Sequence, residues 1–272
     1  MKFSLEKPKT LVVFLDIIFV MLLSISGSIS GVLSTIVYFS AFLVPIIIGF
    51  NKTKEKNNTL DFVSEYRIEK ALPMVVPTLS LVMLLAFITS VIITALTGRT
   101  NSVDLGESVG LAILSHALLP AVLEEGVFRY IPMRVMKDER PAEVILYTAL
   151  LFALVHHSFF SLPYAFFAGA AFMLIDLMVG SVWPSVLIHF LNNLLSVLFY
   201  FYSDKGGFVP AVIITLAALL IVSAVFIIRH RSYYGEKFRR ILSYKGIKIQ
   251  IPAEAWILII PMLIIAFLEL IS

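Results

Sequence analysis

The stretch Gly110–Tyr130 reads GLAILSHALLPAVLEEGVFRY, an apolar run that closes on two adjacent carboxylates and an arginine. Its reading depends on whether the run lies in a bilayer. Of the 272 residues, 60% are hydrophobic and 14% charged, and the mean hydropathy is +0.98. A soluble domain would be about half apolar and about a quarter charged. The chain is therefore read as a polytopic membrane protein, and Glu124, Glu125 and Arg129 become intramembrane charges. Such charges are costly, and they are rare unless paired or functional.

Working outward, nine apolar segments can be drawn, at 11–26, 29–50, 72–97, 108–133, 142–158, 162–180, 182–202, 209–228 and 254–271. Most approach the ~20 residues needed to cross ~30 Å of hydrocarbon, the first and fifth being short. None alternates in polarity as the strands of a membrane barrel do. The expected fold is all-α: a transmembrane bundle of eight to nine helices, with its core at about 108–202. No repeat or linker divides it, so residues 1–272 read as a single integral membrane domain. The N-terminus imitates a secretory signal, but Asp16 interrupts its apolar core and everything downstream is also membrane-bound. An uncleaved first helix is expected.

Basic residues give an orientation. If all nine segments cross, one side holds 1–10, 51–70, 129–141 and 229–250, with 3, 5, 4 and 7 Lys or Arg. The other side holds only Arg99 and Lys205. This asymmetry places the N-terminus in the cytoplasm. Cysteine is absent, which excludes disulfides, thiolate–metal sites and a cysteine nucleophile.

Each helical residue advances about 100°, so Glu125 and Arg129 lie ~40° apart and can pair, whereas Glu124 is ~140° from Arg129. One carboxylate is neutralised and the other left free. Phe152 and His156 share one face at i, i+4, as do His189 and Asn193. Counted from flanking boundaries, Glu124 is ~15–20 Å deep, His156 ~20 Å and His189 ~11 Å, so one cavity could hold all three. A buried carboxylate can serve as general base, and a histidine can share the proton traffic. A second histidine with an amide can donate two hydrogen bonds to an oxyanion. These are the parts of peptide hydrolysis by an activated water.

Other chemistries fit less well. A zinc protease would show His-Glu-x-x-His, which is absent. A zinc site from Glu124, His156 and His189 is chemically allowed, since three ligands and a water suffice. A Gly-x-Ser-x-Gly elbow is missing. Asp16 and Asp176 lack any motif of paired aspartyl chemistry, and Asp176 is read as a packing or boundary residue. His116 and His157 are read as structural.

Glu-Glu-x-x-x-Arg at 124–129, Phe-x-x-x-His at 152–156 and His-x-x-x-Asn at 189–193 occur in this order. They resemble the three motifs of the CAAX protease and bacteriocin-processing family of intramembrane glutamic proteases, over about 115–200. The stretch GSVWPSVLIHFLNN at 180–193 is similar to the prokaryotic branch, which implies a prokaryotic plasma membrane. The resemblance implies that Glu124 activates water with His156, and that His189 and Asn193 form the oxyanion site. It implies that Glu125 and Arg129 support them, with no cofactor and no metal. The substrate class would be a membrane-associated peptide or lipidated protein: a bacteriocin leader, a pheromone precursor or a prenylated CAAX tail. The family also implies an alternative, a non-catalytic scaffold or bacteriocin-immunity protein. A proton or solute transporter is a third reading, without an inverted repeat to support it.

Overall fold

The computed structural model describes residues 7–53, 68–98, 105–106, 108–156, 161–244 and 251–271. His157, Arg99 and most of the expected 51–70 loop lie outside them. Among the described residues the fold is an all-α helical bundle without strands. Ten helices follow one another: α1 (Pro8–Ser28), α2 (Gly31–Thr53), α3 (Ile68–Thr97), α4 (Val109–Val135), α5 (Pro141–Leu154), α6 (Leu162–Val179), α7 (Trp183–Tyr202), α8 (Phe208–Arg229), α9 (Arg231–Ser243) and α10 (Trp256–Ile271). Proline opens α1, α5, α6 and α7, where its missing N–H costs nothing.

Seven of these helices are long and apolar enough to cross a membrane: α1 to α4, α6, α7 and α8. The chain is an integral membrane protein. The first segment was expected to be short, but α1 runs for 21 residues. The fifth is short as expected, a helix of 14 residues, and the ninth forms one of 16, both below the ~20 residues of a full crossing. The basic stretch 229–250 was expected as a loop, but it contains the amphipathic helix α9.

Why α5 can be short is clear from its surroundings. Twelve of its 14 residues are buried, Glu143 and Thr148 included. It is apolar all round because it is enclosed by protein all round. It pairs with α6 as a hairpin, and Gly169 of α6 lies against the backbone of Ala149 and the ring of Phe152, where a β-carbon would be crowded at 3.0 Å from Ala149 Cα. Tyr147 donates to the buried Asp16 of α1 at 3.0 Å, tying α5 to the first helix. By contrast, in α8 only Ser223 is buried, as suits a helix turned to lipid.

Described residues that flank the expected basic stretches meet one another. Lys9, in the first turn of α1, pairs with Glu139 at 3.1 Å and with Glu143. Gly49 near the end of α2 meets Ile131 near the end of α4. Ala71 of α3, Val179 of α6 and Tyr234 of α9 wall one small cavity.

Within α4 the regular helix is broken twice by wider π turns, Ile113–Leu118 and Gly126–Tyr130. Each is followed within two residues by a proline, Pro120 and Pro132. Proline lacks the N–H for an α-type bond and crowds the carbonyl four residues back, so the helix widens there. Glu124 and Glu125 sit on the α-helical segment between the two π turns.

Candidate active site

Site residues are delivered by three helices. Glu124, Glu125 and Arg129 come from α4, and Phe152 and His156 from the end of α5, His156 lying in the turn just past the helix. His189 and Asn193 come from α7. The helical spacing within α4 is obeyed: Arg129 Nε lies 3.1 Å from Glu125 Oε2, with both side chains fully buried. Arg129 therefore does not reach water by stretching its side chain. Its charge is met by Glu125, by the ring of Phe152 at 4.2 Å, by the ring of Phe172 at 5.3 Å, and by the carbonyl of Gly169 at 3.5 Å. Aromatic faces attract such a cation where water cannot.

Glu124 behaves differently. It retains 20% side-chain exposure, and among the described residues it forms no ion pair with Arg129. Across from it stands His189, whose Nε2 lies 3.9 Å from Glu124 Oε2. The other ring nitrogen, Nδ1, donates to Glu125 Oε1 at 2.8 Å. Since a carboxylate only accepts, Nδ1 carries the proton and Nε2 is the atom left to face Glu124. One histidine thus bridges the two adjacent glutamates.

His156 is oriented by the same logic. Its Nδ1 lies 2.7 Å from the carbonyl of Phe152, which also only accepts, so Nε2 is again the available atom. The Phe152 ring packs between Arg129, His156 and His189, with the histidine centroids at 4.9 and 5.8 Å. Phe152 is thus a spacer that fixes the lateral separation of the two imidazoles. Asn193 is half-buried, one turn beyond His189 on α7, and its Oδ1 accepts from Asn192 at 3.2 Å.

Glu124 and His156 line a cavity of about 110 Å³. Its apolar walls include Phe19 and Leu23 of α1 and Tyr38 and Phe42 of α2. Nothing in their local sequence marks these wall residues, because they belong to helices more than 80 positions away from Glu124. The volume accommodates a few waters or one apolar side chain.

Of the residues singled out by sequence, the structure brings Glu124, Glu125, Arg129, Phe152, His156 and His189 into one cluster. Ser185, one turn before His189 on α7, is fully buried, whereas Trp183 at the start of the helix is 67% exposed. His116, read as structural, is exposed on α4. Asp176 does serve packing: it is fully buried, and its Oδ1 accepts the N–H of Ser185 at 3.1 Å. Among the described residues, no group of three or more metal-ligating side chains has the geometry to hold a metal ion.

Residues 106–195, about a third of the chain, match the family model of the Rce1-like type II CAAX prenyl endopeptidases. That span holds all three motifs. No curated protein and no solved structure matches the chain.

Proposed function

We propose that the protein is an intramembrane endopeptidase of glutamic type, acting on a peptide bond of a membrane-associated peptide or lipidated protein. One observation carries this reading above the others: Glu124 is the single carboxylate of the cluster with an open side, and it faces Nε2 of a histidine held by Glu125. The family match over 106–195 supports the reaction class.

In this reading a water lies against Glu124 at the cavity end, within reach of His156. Glu124 takes a proton from it, and the resulting hydroxide adds to the scissile carbonyl. The carbonyl π pair becomes the oxyanion, met by Asn193 Nδ2 and by His189 Nε2 when that atom is protonated. Collapse breaks the C–N bond, and the proton held on Glu124 passes to the leaving amine. Arg129 and Glu125 stay paired throughout and hold His189 in place. The 1–272 chain acts as one membrane unit, with 115–200 as its core.

Metal independence tests the glutamic mechanism against a zinc mechanism. Peptide cleavage by the purified protein is expected to survive exhaustive chelation. If chelation abolishes cleavage and zinc alone restores it, the Glu124–His156–His189 ligand reading replaces this one.

The basic end of the bundle is proposed to be cytoplasmic, in a prokaryotic plasma membrane. A cysteine-free chain makes this direct to test. A single cysteine at the exposed Arg239 of α9 should resist an impermeant thiol reagent in intact cells, while one at the exposed Lys205 should react. Labelling at position 239 with protection at 205 would reverse the orientation.

A further inference from the structure

Between α6 and α7 the chain reverses over residues 180–182, and one residue holds both sides of the reversal. The main-chain carbonyl of Asp176 accepts from the N–H groups of Gly180 and Ser181, at 2.6 and 3.2 Å. These bonds close α6, with Gly180 in the left-handed conformation (φ 80°) that glycine adopts without strain. The Asp176 carboxylate turns the other way and takes the N–H of Ser185 in the first turn of α7 at 3.1 Å. Helix starts carry orphaned N–H groups, and in a dry interior one left unpaired is costly. The side chains of Asp176 and Ser185 are both fully buried, so water cannot substitute.

This clamp sits next to the catalytic cluster. Ser185 and His189 are four residues apart and share one face of α7. The Asp176 carboxylate also feels the charges of Glu125 and Arg129, and its second oxygen has no hydrogen-bond partner among the described residues. Fixing the N–H of Ser185 fixes the rotation of α7 about its axis. That rotation decides whether the His189 imidazole reaches Glu125 on α4.

We propose that Asp176 is a positioning residue: by clamping the first turn of α7 it sets the rotation that seats His189 Nδ1 on Glu125 and turns Nε2 toward Glu124. Its effect on rate rests on the endopeptidase reading above, while its effect on geometry does not. The clamp needs an acceptor at this position more than it needs a charge. Asparagine can therefore replace aspartate, and leucine cannot.

The test uses the full-length protein in detergent, with Asp176→Leu and Asp176→Asn. A hydrogen-bonded imidazole N–H gives a far-downfield proton resonance, assigned to His189 by its loss in His189→Gln. The leucine variant should lose or shift this resonance, and the asparagine variant should keep it. On a cleavable peptide, Asp176→Leu should lower kcat by about 10–100-fold with KM changed less than about twofold, and Asp176→Asn should restore most of the rate. If Asp176→Leu does not fold, Ser185→Pro cuts the same bond from the other side, because proline is tolerated in the first turn of a helix. A variant lacking the bond that melts lower but keeps both the resonance and kcat makes Asp176 a purely structural cap and overturns the proposal. If the parent protein cleaves no peptide, the endopeptidase reading fails, and the resonance still decides whether Asp176 positions His189.

Discussion

Glu125→Gln is expected to be the most destabilising single substitution in the cluster, by about 3–5 kcal/mol. It strands the Arg129 guanidinium, which is fully buried and has no aqueous escape. The cation–π contacts with Phe152 and Phe172 do not replace an ion pair. Activity should fall as well, since Glu125 is the carboxylate that holds His189 Nδ1. The double variant Glu125→Gln with Arg129→Met removes both charges and should recover much of the lost stability, because a buried pair replaced as a unit can be nearly neutral. The measurements are the detergent melting temperature and cleavage rate of the three proteins. A double variant no more stable than Glu125→Gln alone would show that the ion pair is not what holds this part of the bundle.

The neighbouring substitution should fail in the opposite way. Glu124→Gln keeps size and shape and alters a side chain with 20% exposure whose ion-pair distance is loose, at 3.9 Å to His189. Melting temperature should stay close to that of the parent. Turnover should drop by about 10²–10⁴-fold, the usual contribution of a general base, with little change in KM. A Glu124→Gln protein that unfolds easily, beside a stable but inert Glu125→Gln, would exchange the two roles. Cleavage at the parent rate by Glu124→Gln would remove the glutamic mechanism altogether.

These contrasting expectations show what local spacing could and could not convey. The Glu125–Arg129 pair was legible because residues four apart on a helix are neighbours whatever surrounds them. The π turn that begins at Gly126 did not break the pair, since a slightly wider turn still leaves i and i+4 close. The contact of His189 with Glu125 joins residues 64 positions apart on different helices, and no periodicity encodes it. Helix α9 is hidden in the sequence for a different reason. Its apolar positions, Tyr234, Phe238 and Ile241, do fall at helical spacing, but they lie among so many Lys and Arg that the stretch read as a loop.

By itself the sequence determined the solvent and therefore the class of fold. Sixty per cent apolar residues in long unbroken runs can only satisfy their backbone polar groups in a bilayer as helices. It also determined the pairing of Glu125 with Arg129, which lies within one helix. Only the tertiary structure decided which histidine meets which carboxylate and which aromatic rings wall the cavity beside Glu124. It alone revealed that the Asp176 carboxylate accepts the N–H of Ser185 in the first turn of α7. The physical reason is that contacts between helices depend on where each helix begins and how it is rotated about its axis. Those quantities are set by turns and packing contributed from distant parts of the chain, whereas contacts along one helix are fixed by its own geometry.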